Sequence, residues 1–502
     1  MIWKHVVMVV IHLLLYGSVI RTKGMGLTSR RVTRPKVLVI SLDGFDHDYL
    51  SLYQWEYLSV FYSHGSHPQR FRNQFVTKTF PNHFSVATGV YEEVHGVVGN
   101  SVFDPDLNQT FTITDEGLFT QNPNISPIWT LNEEHGGHSG CIMWPGCGTA
   151  YHGKNVTFWS PYHENASIIK SIDTAIEWLT NEQTPGNLVF LYHSQPDLVG
   201  HAYGPHSLQL LDELKKIDEG LRYLYHMLNV HELKDTVDVI ILSDHGMSAV
   251  KDENIIDLDT IIDPNQYFTS GNSPVLNIWT SYEDQLDIFL KLQKASKMSH
   301  FKVYTKSDPQ LSSWHYANNS RIGQIILVAD DGYVFQDFRE LIDHFKNKGF
   351  KDMTDTHGDH GYPVEVASME PIFVAAGPSF KRGFQAPEFS NVDVYVLLCH
   401  LLSLNPGPHN GTWDNISSIL MEPVSSTLIR PLSIALGCVM ALLGLIGILA
   451  CVLTRQNSRK PVSADSLISG YVYRKTMREG KEPLEDISEE ECLLDAEVNE
   501  EV

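Results

Sequence analysis

A chain of 502 residues is too long for one ordinary core and suits one large α/β domain with appendages. Its formal charge of −23 repels a phosphate backbone, which excludes nucleic-acid binding of the electrostatic kind. Six cysteines are few for a secreted chain of this size, and no cysteine-dense module flanks the domain.

Lys4 and His5 precede the apolar run VVMVVIHLLLYGSVI, the n- and h-regions of a secretory signal, so residues 1–24 are expected to form a signal peptide. No clean small-residue cleavage site follows, which keeps an uncleaved anchor open as the alternative. Short apolar, β-branched runs come next: KVLVISL (36–42), NLVFLYH (187–193), VDVIILS (237–243), QIILVAD (324–330) and PIFVAAG (371–377). Such runs suit strands buried on both faces of a mostly parallel sheet. Helical spacing lies between them, as in SLQLLDELKKIDEGLRYLYHML (207–228). Strands alternating with helices predict an α/β fold, a mostly parallel central sheet with helices on both faces, over residues 35–405. Cys141, Cys147 and Cys399 fall in this domain, an odd count that allows one disulfide at most. Cys141 and Cys147 are close enough for a small loop, but spacing does not fix the pairing.

Residues 406–430, rich in Pro, Asn and Ser, read as a stalk. Residues 431–454 carry no charge over 24 positions, enough to cross a hydrocarbon core of about 30 Å at about 1.5 Å per residue. Arg455, Arg459 and Lys460 follow directly. The positive-inside rule therefore puts the tail, 455–502, in the cytoplasm and the large domain outside. The expectation is a single-pass type I protein of the plasma membrane. Its acidic tail contains EEECLL, Glu489 to Leu494, an acidic dileucine pattern suited to an endocytic adaptor. Sequons at Asn108, Asn155, Asn165, Asn318, Asn410 and Asn415 fit a secretory, glycosylated chain, while Pro127 weakens a seventh at Asn124.

The chemistry falls just past the strands. The first run leads into Asp43, the second reaches Pro196-Asp197, and the third stops at Asp244-His245. Carboxylates and imidazoles at strand C-terminal ends lie in the crevice where open α/β sheets bind ligands. THGDHGY (356–362) adds His357 and His360. Mixed Asp/His ligation favours zinc or a similar metal over calcium or magnesium. In VTKTFPNHFSVATG (76–89), Thr79 reads as the N-cap of a helix starting at Phe80 or Pro81. A helix N-terminus is an anion site, so the threonine hydroxyl is either a cap alone or a group aimed at a bound anion.

In chain order these motifs are SLDGF, KTFPNH, PDLVGHAYGP, SDHGM and THGDHGY. Their combination resembles the ectonucleotide pyrophosphatase/phosphodiesterases of the alkaline phosphatase superfamily, over nearly the whole ectodomain. The layout is most similar to the membrane-anchored members four and five. The resemblance implies two Zn²⁺, one held by Asp43, Thr79, Asp244 and His245, the other by Asp197, His201 and His360. It implies Thr79 as the nucleophile of a threonyl–nucleotide intermediate, its hydroxyl acidified by zinc. Asn100 takes the position of a side-chain donor to a non-bridging phosphate oxygen, assisted by free N–H groups after Thr79. Phe80 and Tyr162 match the positions whose rings sandwich a nucleobase; Lys78 either reaches a distal phosphate or is solvated.

Two departures stand out: relatives often read H-G-Y-D-N where this chain has HGYPV, and an acidic pair before Pro196-Asp197 is replaced by HSQ. The implied activity is cell-surface, zinc-dependent hydrolysis of nucleotide pyrophosphate or phosphodiester bonds, releasing nucleoside 5′-monophosphate. Dinucleoside polyphosphates, NAD and nucleoside triphosphates are the implied substrates. A lipid-headgroup phosphodiesterase and a catalytically weak receptor or adhesion ectodomain are the alternatives. Sulfatases share the fold class but need C/S-x-P-x-R, which TFPNH is not.

Overall fold

A computed structural model describes residues 35–164, 166–422 and 426–457, with side chains in the last stretch described for 439–455. The expected signal peptide, the Asn165 sequon and Glu489 to Leu494 lie outside the described residues. The described residues up to Met421 form one unit, and the C-terminal helix belongs to another.

The strands that matter here are β1 (Lys36–Leu42), β2 (Ser66–Pro68), β3 (Ser139–Ile142), β4 (Phe158–Ser160), β5 (Leu188–His193) and β6 (Val237–Leu242), then β7 (Tyr267–Asn272), β8 (Val275–Thr280), β9 (Phe301–Thr305) and β10 (Ile325–Ala329), and finally β11 (Phe373–Ala376) and β12 (Phe384–Ala386). The main sheet runs β12–β2–β11–β6–β1–β5–β3–β4. It is parallel except at β11, which runs against both β2 and β6. All six residues of β5 and of β6 are buried, so both faces of the sheet centre are covered, as its unbroken β-branched runs require.

QIILVAD is a strand, but in a second, antiparallel sheet ordered β7–β8–β10–β9. PIFVAAG is in the main sheet, yet antiparallel. A strand buried on both faces carries the same apolar run whichever sheet it joins and whichever way it points, so periodicity could not separate these cases.

The main sheet positions the site through adjacency. β5, β1 and β6 are neighbours, with Leu42 opposite His193 and Ser41 opposite Leu242. The loops that leave their C-terminal ends therefore lie side by side. The helices used below are α1 (Thr79–Thr88), α2 (Ile168–Thr180), α3 (Asp197–Tyr203), α4 (Leu208–Val230) and α5 (Ser426–Asn457). A short antiparallel ladder pairs Ser248 with Asp359 and Val250 with His357. It folds the late histidine segment back onto the loop after β6.

Residues 406–421, expected to begin a stalk, are instead part of the folded unit. Ile416 and Ile419 are fully buried, the Asn410 N–H donates to Gly89 O, and the Met421 N–H donates to Ser379 O. The Pro/Asn/Ser-rich composition hid two isoleucines that fill the core. Cys141 and Cys147 form a disulfide, and Cys399 is a free, buried thiol. Among the described residues no helix is long and apolar enough to cross a membrane; α5 includes 431–454, and most of the N-terminal half of that helix has no described side chains.

Candidate active site

Three carboxylates and three imidazoles converge where β5, β1 and β6 end. Asp43 follows β1 directly. Its neighbour Gly44, at φ 64, turns the chain sharply; a Cβ there would sit 2.9 Å from the Asp197 side chain. The Gly44 N–H donates to Asp244 Oδ1 at 3.1 Å, and the Asp197 N–H donates to Asp43 O at 3.1 Å. The three loops are thus bonded to one another. Asp197 opens α3, which places His201 one turn later on the same face.

Each carboxylate keeps one oxygen idle. Asp43 Oδ1, Asp197 Oδ1 and Asp244 Oδ2 are buried with no hydrogen-bond partner among the described residues. The histidines are arranged to meet them. His201 Nδ1 bonds Gly358 O at 2.7 Å, His245 Nδ1 bonds Gly246 O at 2.9 Å, and His360 Nδ1 bonds Thr77 O at 2.9 Å. A backbone acceptor at Nδ1 leaves Nε2 as the free lone pair, the tautomer that ligates metal. His201 Nε2 and His360 Nε2 then lie 3.4 and 3.6 Å from Asp197 Oδ1. His245 Nε2 lies 3.4 Å from Asp43 Oδ1 and 3.0 Å from Asp244 Oδ2. Two trios have ligand atoms within 4.8 Å of one another, Asp197/His201/His360 and Asp43/Asp197/His245.

Unpartnered buried carboxylates are costly, and the electrostatics express it. Burial pushes the Asp43 carboxyl up, and the charges of Asp244 and Asp197 add to that. Burial also raises Asp197. Burial would raise Asp244 too, but the His245 and His83 rings outweigh it and hold that carboxyl low. Burial, then His245, Lys78 and His201, keep His360 well below the usual imidazole range. Divalent cations would pair all three idle oxygens at once, so the residues present fit a metal centre.

Thr79 stands at this centre, with Oγ1 3.3 Å from His245 Nε2. It is not the N-cap. α1 begins at Thr79 itself, Lys78 is the extended cap residue, and no side chain caps the end. The N–H of Phe80 is not free either: it donates to Asn100 Oδ1 at 3.0 Å. That bond leaves the Asn100 NH₂ as the donor and pins the residue beside the turn that carries Thr79. Lys78 is not solvated. It is 5% exposed, and its ammonium bonds Asp359 Oδ1 at 3.2 Å. Gly361, at φ 119, lets the His360 loop pass over this lysine; a Cβ there would meet Lys78 Cε at 2.6 Å.

Phe80 is half-buried and packs 5.8 Å from Phe119. Tyr162 is exposed, its ring 6.4 Å from Tyr192. The HSQ departure, His193 to Gln195, lines a cavity of about 600 Å³ with the first turn of α2 and one flank of α4. His357 stands apart from the cluster, bonding Ala202 O and pairing with Asp252.

Sequence reasoning missed two residues. His83 is fully buried; its Nδ1 bonds Thr79 O at 2.7 Å, and its Nε2 takes a bond from Ser41 Oγ at 2.8 Å. Its position four residues after Thr79 in KTFPNH was the available signal. Tyr192 donates to Asp43 Oδ2, and nothing in its local sequence marked it.

A model of the family described as type I phosphodiesterase / nucleotide pyrophosphatase matches residues 37–363. The bis(5′-adenosyl)-triphosphatase of Xenopus laevis is 33% identical over 430 residues, 86% of this chain and 91% of its own. Ectonucleotide pyrophosphatase/phosphodiesterase family member 5 of Homo sapiens is 36% identical over 387 residues, 77% of this chain and 78% of its own. A solved structure of murine member 5, an inactive threonine-to-alanine variant in complex with AMP, matches with a TM-score of 0.70. That match is at 35% identity and covers 77% of this chain and 100% of that one.

Proposed function

This chain belongs to the type I phosphodiesterase/nucleotide pyrophosphatase family, and on that premise we propose that it is a cell-surface, two-zinc hydrolase that forms a threonyl–nucleotide intermediate and releases nucleoside 5′-monophosphate. It is a hydrolase that cleaves nucleotide pyrophosphate and phosphodiester bonds. Its substrates in this reading are dinucleoside polyphosphates, NAD and nucleoside triphosphates. The relative named bis(5′-adenosyl)-triphosphatase and the AMP bound in the murine member 5 structure support that class.

One observation carries the reading: three buried carboxylate oxygens without hydrogen-bond partners among the described residues face three histidine Nε2 atoms, and one of these, His245 Nε2, lies 3.3 Å from Thr79 Oγ1. Asp43, Thr79, Asp244 and His245 would hold one zinc, and Asp197, His201 and His360 the other. Bound zinc supplies Lewis acidity that makes the threonine hydroxyl a nucleophile near neutral pH and offsets phosphate charge. Thr79 Oγ1 attacks phosphorus in line, forming its P–O bond as the bond to the leaving group breaks. Water then attacks the same phosphorus, frees Thr79 and releases the monophosphate. The Asn100 NH₂ donates to a non-bridging oxygen. Phe80 and Tyr162 hold the base between them; stacking of this kind contributes about 1–3 kcal/mol per base. The inactivity of the murine threonine-to-alanine variant supports a threonine nucleophile. Lys78 acts through Asp359 and the His360 loop in this reading, since its ammonium is already paired.

The catalytic unit is external in this proposal, delivered by the signal peptide 1–24 and anchored by 431–454 in α5. Exposed sequon asparagines at 108, 155, 318, 410 and 415 and the disulfide support a secretory route. Glu489 to Leu494 would dock an endocytic adaptor from the cytoplasmic side. Product analysis with diadenosine triphosphate, NAD and glycerophosphocholine side by side tests the function. AMP from the first two supports it, and hydrolysis of glycerophosphocholine alone assigns a lipid headgroup instead. No turnover on any of the three leaves a receptor ectodomain.

A further inference from the structure

Tyr192 is the penultimate residue of β5, in register with Ser41 of β1. Side chains alternate along a strand, so Ser41, Asp43 and Tyr192 share one side of the sheet. The tyrosine is 6% exposed, and its ring meets the edge of His83 at 5.2 Å between centroids. Its hydroxyl donates to Asp43 Oδ2. The consequence falls on the other oxygen. Asp43 Oδ1 has no partner among the described residues and lies 3.4 Å from His245 Nε2. A carboxylate with neither oxygen fixed rotates about its Cβ–Cγ bond; with one oxygen tied, the other has a single direction. The exposed Tyr162 ring stands 6.4 Å from Tyr192. A base held by Tyr162 therefore has no claim on the Tyr192 hydroxyl, which is committed to Asp43.

We propose that Tyr192 is a positioning residue of this active site, its hydroxyl aiming Asp43 Oδ1 at the metal beside Thr79 and His245. The inference rests on the zinc reading above and adds a residue to it. Outer hydrogen bonds of this kind orient a metal-holding carboxylate, and losing one costs about 10–100-fold in metal affinity or activity.

Tyr192→Phe keeps the ring and its packing on His83 and removes only the hydroxyl. Zinc-loaded wild type and variant are titrated with a chromophoric chelator. Their kcat and KM are measured on a nucleotide ester and on a base-free nitrophenyl phosphodiester. The variant should release zinc at about 10–100-fold lower free chelator. Its kcat should fall equally on both substrates, with KM for the nucleotide ester unchanged. Wild-type zinc retention and kcat would overturn the proposal. So would a loss confined to the nucleotide ester, which makes Tyr192 a base contact. A lower midpoint of the stripped protein with zinc affinity retained makes the hydroxyl a structural bond and overturns it as well. Wild-type enzyme that works fully without zinc would sink the metal reading itself, so the two failures are distinguishable.

Discussion

Thr79→Ala separates chemistry from structure at the residue on which the proposed mechanism turns. The substitution removes Oγ1, whose contact is His245 Nε2 at 3.3 Å, and one methyl from a side chain 6% exposed. No capping bond is lost, because Lys78 is the cap residue and the end has no side-chain cap; a true cap would cost about 1 kcal/mol. Burial of one methyl contributes about 0.8 kcal/mol, and alanine returns about 0.5 kcal/mol in helix propensity. The lost Oγ1 hydrogen bond adds about 1 kcal/mol, so the net stability loss is about 1–2 kcal/mol, a Tm shift of about 1–3 °C in a domain of this size. Loss of the nucleophile should lower kcat by about a thousandfold or more, equivalent to about 4 kcal/mol in the barrier. Differential scanning and turnover of a nitrophenyl nucleotide ester measure the two quantities on one preparation. Turnover within about tenfold of wild type, or a stability loss near that 4 kcal/mol, would refute the assignment, since either makes Thr79 a structural residue.

Chelation should abolish hydrolysis and added zinc restore it; full activity with less than one metal per chain would contradict the two-metal centre. Lys78→Met should destabilise the fold by about 3–5 kcal/mol by leaving a buried Asp359 carboxylate unpaired, and adding Asp359→Asn should recover part of that in a urea titration. An unchanged midpoint for Lys78→Met would mean the lysine is solvated after all. Tyr162→Ala should raise KM for nucleotide substrates and leave a base-free phosphodiester unaffected; equal damage to both would assign the tyrosine to the fold. A secreted chain ending at Met421 should be active, whereas one ending at Asn405 should not fold, because it lacks Ile416 and Ile419, each worth about 1.5–3 kcal/mol of burial. Activity and a normal melting transition in the shorter chain would return 406–421 to being a stalk.

The sequence by itself determined the strands that bear the chemistry and the residues at their ends. A run such as VDVIILS, apolar at every position, has no stable place except a sheet covered on both faces, and an aspartate just beyond it must emerge at the rim. Asp43, Asp197, Asp244 and the histidines that follow were legible for that reason, as was the helix through 207–228. Local pattern could not say which strands are neighbours, and strand order decided the rest. Adjacency of β5, β1 and β6 brings together carboxylates about 50 to 200 residues apart. It also sent QIILVAD to another sheet. The roles of Lys78 and Tyr192 depend on partners, Asp359 and Asp43, that are distant in the chain, and the burial that pairs them exists only once the sheet has formed. Residues 406–421 looked like a linker because composition averages over a window, whereas burial is settled one side chain at a time. A hydrogen bond from Tyr192 to Asp43 leaves no trace in either residue's local sequence, since it is made by two strands meeting in register.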